Sequence, residues 1–187
     1  MNKDGYFKLI IGPMYAGKST ELLRNIDQFK FLNKNILVVN HKLNNRYNSN
    51  NLTTHNGNVH NDCIVIERLE ELTNKYSNEF YNADIIIIDE LQFFDDALTY
   101  IPFWCDSKKK YIVASGLNGN SDRKPIGQVL DLIPHANEII SLRALCCKCC
   151  DGTLGSFSKK IINNNNNILV GSTETYIAVC RKHYLND

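Results

Sequence analysis

Three groups of residues in this chain have the types and spacing to do chemistry. The first, Gly12-Pro13-Met14-Tyr15-Ala16-Gly17-Lys18-Ser19-Thr20, fits the G-x-x-x-x-G-K-[ST] phosphate-loop pattern. Gly12 and Gly17 let the backbone curl so that its N–H groups face phosphate oxygens, and a following helix adds a favourable dipole. Lys18 then reaches the terminal phosphates of a nucleoside triphosphate, and the Ser19 hydroxyl ligates magnesium. The second group is Asp89-Glu90, at the end of the apolar run Ile85 to Ile88. A carboxylate at the tip of a central strand is the expected partner of a phosphate loop, where it steadies the magnesium. Glu90 projects differently and is placed to act as a base toward a second substrate. The third is Cys146-Cys147-Lys148-Cys149-Cys150, followed later by Cys180-Arg181-Lys182-His183. Two C-x-x-C registers overlap there, 146 with 149 or 147 with 150. Either one, with Cys180 and His183, supplies four ligands for a closed tetrahedral zinc site. No position is left for water, so the metal reads as structural.

These groups need elements to position them. Tyr6 to Ile11 reads as a buried strand before the phosphate loop, and Leu22, Leu23, Ile26 and Phe29 recur at helical spacing after it. Ile36 to Val39 and Cys63 to Ile66 read as further strands, with Leu69 to Phe80 as a helix. The stretch from Leu43 to Asp62, rich in Asn and Thr and without periodicity, reads as a loop. Ile85 to Ile88 suits a central parallel strand buried on both faces. Phe94, Leu98, Ile101 and Phe103 follow a mixed helical pattern broken by Pro102 and read mostly as core. Tyr111 to Ser115 is another strand, and the polar loop Gly116 to Pro125 at its end is a candidate wall of the site. From residue type alone, Arg123 and Lys124 in that loop read as solvated. Gly127 to Ala136 reads as a short helix and Glu138 to Leu142 as the last strand. Strands alternating with helices specify a phosphate-loop α/β domain with a doubly wound, mostly parallel sheet, residues 1–143. Residues 144–187 read as a small zinc-binding β domain. Phe157 to Ile162, Ile168 to Val170 and Tyr176 to Val179 are its strands, and the Asn163–Asn167 run is a polar turn.

At 187 residues, with 43% hydrophobic residues and a net charge of +1, the chain suits one sizeable core plus an appendage. That near-neutral balance gives no electrostatic case for a nucleic-acid partner. No stretch approaches a membrane span or a signal peptide, so a soluble, cytoplasmic protein is expected. Seven cysteines in a reducing compartment argue for metal or free thiols over disulfides.

Taken together and in order, the phosphate loop, Asp89-Glu90-x-Gln92-Phe93-Phe94, Arg123-Lys124-Pro125, Gly171-x4-Tyr176 and Cys180-Arg181-Lys182-His183-Tyr184 resemble the zinc-containing, tetrameric type II thymidine kinases. The resemblance spans roughly Tyr6 to Tyr184. It implies transfer of the γ-phosphate of ATP to the 5′-hydroxyl of thymidine, and of deoxyuridine, in nucleotide salvage. By the same resemblance Glu90 is the base that takes the hydroxyl proton. Asp89 and Ser19 attend magnesium, Lys18 the phosphates, and Gln92 and Arg46 lie beside the nucleotide. Met14 and Leu117 line the thymine pocket, and Asn167, Ile168, Leu169, Val170 and Gly171, with Tyr176, form a lasso over the base. It favours Cys146 and Cys149, with Cys180 and His183, as the zinc ligands. A homotetramer and feedback inhibition by dTTP are further implications. Ser121, Ile126 and Ser172 depart from the family pattern, which has phenylalanine at the first two positions and glycine at the third.

The rival reading is a phosphate-loop ATPase with a zinc ribbon that acts on nucleic acid. It requires a basic face with exposed aromatics and turnover stimulated by polynucleotide.

Overall fold

The computed structural model describes residues 4–44, 51–53, 59–161 and 175–186, and for 51–53 and 59–61 the backbone alone. Its centre is a six-stranded sheet. The strands are β1 (Tyr6–Gly12), β2 (Ile36–His41), β5 (Cys63–Ile66), β6 (Ile85–Ile88), β7 (Tyr111–Leu117) and β8 (Glu138–Ser141). Their spatial order is β5-β2-β6-β7-β1-β8, and every neighbouring pair is parallel.

The four isoleucines of β6 explain why the sheet must be covered on both sides. All four are fully buried, and strand alternation sends them in opposite directions. Ile85 and Ile87 pack with Leu22, Ile26 and Phe29 of helix α1 (Lys18–Phe31). Ile86 and Ile88 face a larger core built with Leu72, Phe80, Ile101 and Trp104. Those residues come from α2 (Glu70–Asn74), α3 (Ser77–Asn82) and α4 (Ala97–Asp106).

Several expectations need correction. Between β2 and β5 the chain is not all loop, because β3 (Asn51–Thr53) and β4 (Val59–Asn61) form an antiparallel hairpin. The helix expected over Leu69 to Phe80 is two helices, α2 and α3. Buried Asp96 accepts the N–H groups of Leu69 and Glu70 at 3.1 and 3.0 Å, holding the entry to α2 from outside its own sequence. Lys110 donates to the carbonyls of Phe80, Tyr81 and Ala83 at 2.7–3.1 Å and closes the end of α3. Gly127 to Ala136 is not an α-helix; it is turns and one short 3-10 segment, Ile133–His135. Of the hydrophobic residues around Pro102, Phe94 and Ile101 are core, whereas Leu98 and Phe103 face outward.

The tail consists of short pieces. β9 (Ala144–Leu145) pairs antiparallel with β10 (Leu154–Gly155), β11 (Phe157–Lys160) pairs with β12 (Tyr176–Val179), and α5 (Arg181–Leu185) closes it. The expected strand Ile168 to Val170 and the Asn163–Asn167 turn lie outside the described residues. Among the described residues, no helix is long and apolar enough to cross a membrane.

Candidate active site

The site is assembled at the carboxyl ends of β1, β6 and β7. As β1 runs out, a Cβ on Gly12 would lie 2.7 Å from the Leu142 carbonyl oxygen, so only glycine fits. Gly17 has φ 81°, the left-handed turn that launches α1. Among the described residues no side chain caps α1, so its first-turn N–H groups stay directed into the loop. Pro13 and Met14 are buried, Tyr15, Ala16, Lys18 and Ser19 are half-buried, and Gly17 and Thr20 are exposed. The Lys18 ammonium donates to the Pro13 carbonyl at 2.9 Å, folding its charge across the loop.

Asp89 is where loop and sheet meet. It is 3% exposed, and its carboxylate accepts the Ser19 hydroxyl at 2.9 Å, the Ser115 hydroxyl at 2.5 Å and the Glu90 N–H at 2.9 Å. Ser115 comes from β7, the strand between β6 and β1. Burial pushes the Asp89 carboxyl up, the Glu90 charge adds to this, and the three donors oppose it. A cation held by Ser19 and Asp89 would reverse that balance. This donor set of one hydroxyl and one carboxylate, both hard oxygen ligands, fits magnesium.

Glu90 leaves the strand sharply, at φ 52° and ψ 44°. A left-handed non-glycine costs roughly 1–2 kcal/mol, and here it turns the side chain out of the strand's alternation. Its Oε2 accepts the Gln92 side-chain amide, and the Gln92 Oε1 accepts the Leu117 N–H at 3.1 Å. Gln92, 6% exposed, therefore ties the carboxylate to the end of β7.

Beside this pair lies an apolar cluster separate from the two faces of the sheet. Met14, Leu117, Ile126 and Tyr176 are all buried in it, with Tyr15 packed against them. Thus the phosphate loop, the end of β7 and the tail strand β12 converge on one spot. The Met14 N–H donates to the Ser158 hydroxyl of β11 at 2.9 Å, a buried bond that fastens the tail to the loop.

The cysteine register also has a geometric answer. Ligand atoms of Cys146, Cys149, Cys180 and His183 lie within 4.8 Å of one another, while Cys147 and Cys150 point outward. The His183 Nδ1 sits 3.3–3.6 Å from the three sulfurs, and Cys149 and Cys180 sulfurs are 3.8 Å apart. A tetrahedral zinc with bonds of about 2.3 Å to sulfur and 2.0 Å to nitrogen separates its ligands by about 3.5–3.8 Å. The thiols themselves call for a cation. Burial alone would raise the Cys146 thiol, but the N–H groups of Cys180, Cys149 and Lys148, with His183, hold it at about 6. Burial and the neighbouring Cys146 and Cys180 push Cys149 up to about 11, so the cluster shares its negative charge unevenly. This cluster can hold a metal ion.

The structure thus brings together the phosphate loop, Asp89, Glu90 and Gln92, with Met14, Leu117 and Tyr176 beside them. Arg46 and the stretch Asn167, Ile168, Leu169, Val170 and Gly171 lie outside the described residues. Near the start of the first gap, His41, Lys42, Leu43, Glu67, Arg68, Phe93 and Asp95 line a cavity of about 350 Å³ that contains no phosphate-loop residue. Sequence reasoning missed Ser115 and Ser158. A lone serine closing the apolar run Tyr111 to Ser115 was a usable signal for the first; nothing in the sequence marks the second.

Comparison with known proteins covers nearly the whole chain. A family model described as thymidine kinase matches residues 5–184. A thymidine kinase of Mycoplasma mobile is 37% identical over 183 residues, covering 97% of this chain and 88% of its own. That of Amsacta moorei entomopoxvirus is 35% identical over 182 residues, 96% and 97% of the two chains. Thymidine kinase 1 of Dictyostelium discoideum is 35% identical over 189 residues, 98% and 79%.

Proposed function

The chain belongs to the thymidine kinase family and is a nucleoside kinase that phosphorylates thymidine with ATP as donor; from that membership we propose how its residues divide the work. The observation that carries the proposal is the position of Asp89-Glu90, with Ser19 2.9 Å from Asp89 on one side and the Gln92–Leu117 link to the apolar cluster on the other. The loop N–H groups and Lys18 bind the phosphates of ATP, and Ser19 and Asp89 would hold magnesium. When bound, that ion supplies charge neutralisation at the β- and γ-phosphate oxygens. Thymidine lies over Met14 and Leu117 with Tyr176 against it, so its 5′-hydroxyl points toward Glu90. Glu90 accepts the hydroxyl proton as the oxygen bonds to the γ-phosphorus and ADP leaves. Gln92 holds the carboxylate in line. Most of the rate in such transfers comes from positioning and electrostatics, which is what these contacts supply.

Residues 144–187 act in this reading as a separate module clasped by zinc. Cys146, Cys149, Cys180 and His183 would hold the metal, which would supply a cross-link between the β9–β10 turn and α5 and no chemistry to the reaction. By family membership the proposal includes Asn167 to Gly171 as residues that bind the base and Arg46 as one that binds the nucleotide. Family membership extends the proposal to a cytoplasmic homotetramer inhibited by dTTP, which sedimentation and inhibition assays check.

Release of ADP on adding thymidine, deoxycytidine or single-stranded DNA in turn tests the reading. Stimulation by thymidine is expected. Stimulation by single-stranded DNA alone would instead support the ATPase alternative.

A further inference from the structure

The loop from Asn118 to Pro125 joins Leu117 to Ile126, and both of those residues are buried in the apolar cluster against Met14 and Tyr176. Whatever fixes this loop therefore fixes two walls of the acceptor site. Internally it is closed by Asn120. The Asn120 side-chain oxygen accepts the N–H groups of Asp122 and Lys124 at 2.9 Å each, and the Asn120 N–H donates to Lys124 O at 2.9 Å. That makes the loop a compact tongue, but it does not set where the tongue lies.

The tail does. The Tyr184 hydroxyl donates to the Ser121 carbonyl at 2.6 Å. The Arg123 guanidinium, which residue type alone left in water, lies 4.6 Å over the Tyr184 ring and 5.8 Å from that of Phe157. Arg123 adopts φ 60°, a left-handed backbone that this docking helps to stabilise. Tyr184 immediately follows His183, whose ring reaches three cysteine sulfurs and whose carbonyl accepts Lys159 from β11 at 2.9 Å. A continuous set of contacts runs from the metal-binding cluster through Tyr184 to the loop.

We propose that Tyr184, with Arg123, is a positioning residue for the nucleoside: it carries the set of the metal-binding module to the 118–125 loop and so tunes thymidine binding without touching thymidine. This rests on the acceptor-site reading given above. The Asn118 N–H at the root of this loop donates to the Gly12 carbonyl at 3.3 Å, whereas the Tyr184 and Arg123 contacts lie at the loop's far end, so the effect is expected on thymidine rather than on ATP.

The test uses the full chain loaded with zinc. Tyr184→Phe keeps the ring under Arg123 and removes only the hydroxyl, whereas Arg123→Gln removes the cation. Each variant is expected to keep its zinc, its KM for ATP and its kcat. Its KM for thymidine should rise by about three- to tenfold, the range for losing one such hydrogen bond or cation–π contact. In Tyr184→Phe without substrates, backbone amides from Asn118 to Lys124 should exchange hydrogen faster than in the unmodified protein. Unchanged exchange would overturn the clamp whatever the kinetics. Faster exchange with an unchanged thymidine KM would overturn the positioning role, as would a loss of zinc with both KM values rising together. A wild-type chain that failed to use thymidine would bring down the acceptor-site reading, while the exchange experiment would still decide the clamp.

Discussion

Glu90 owes its usefulness to being out of register. The residues before it alternate across the sheet, and a regular continuation would have sent its carboxylate into one of the two cores. The left-handed turn at φ 52° prevents that, and Gln92, held by the Leu117 N–H, receives the carboxylate on the other side. Two sequence-adjacent acids thereby acquire different surroundings, one buried among hydroxyls and one held by the Gln92 amide. His41 makes a comparable point about protonation. Its Nδ1 accepts the Leu43 N–H at 3.0 Å and its Nε2 lies 3.0 Å from the Glu67 carbonyl, so the ring fits only as the neutral tautomer protonated at Nε2. Burial holds its pKa below the ordinary 6.5, against the opposing pull of Glu67 and Asp95. The unfolded chain therefore binds this proton first. The stabilisation is complete above about pH 6.5 and is lost as pH falls toward the depressed folded value. Thermal midpoints measured from pH 7 down to pH 5.5 should fall in the wild type. They should fall less steeply in His41→Gln.

At the scale of elements, much was legible where one residue type dominates a run. The isoleucines of β6, the phosphate loop between a strand and an amphipathic helix, and the C-x-x-C and C-x-x-H pairs all sit where their pattern implied. Elements whose stability comes from elsewhere in the chain were not legible. The break between α2 and α3, the docking of Asp96 on Leu69 and Glu70, and the closure of α3 by Lys110 depend on partners 26 to 30 residues away. Gly127 to Ala136 looked helical because its apolar residues recur, yet they are buried from turns. Lys110 offers a direct check. It is 8% exposed, and replacing it by alanine leaves three carbonyls at the end of α3 without their charged donor. Lys110→Ala should lower unfolding free energy by roughly 1.5–3 kcal/mol in denaturant titrations, the usual range for a hydrogen bond to a charged group. A variant as stable as the wild type would mean that water replaces the ammonium without loss.

Across the whole molecule, the parallel sheet carries the phosphate loop and Asp89-Glu90, and residues 144–186 bring the Cys/His cluster and Tyr176 against it. The two meet at Met14–Ser158, at the Tyr176 cluster and at the Tyr184 clamp. Their stabilities should differ in kind, because the sheet is held by two apolar cores and the tail, in the proposed reading, by a metal at the Cys/His cluster. Stripping zinc with a chelator should expose the amides of β11 and β12 to rapid hydrogen exchange while those of β1, β6 and β7 stay protected. Uniform loss of protection would mean that the metal is integral to the whole fold. The central claim remains that Glu90 stands between donor and acceptor as the base, and Glu90→Gln tests it most directly. With ATP and thymidine both bound at wild-type affinity, turnover should fall by about 10²- to 10⁴-fold, the usual contribution of a general base. Turnover unchanged in that variant would contradict the account.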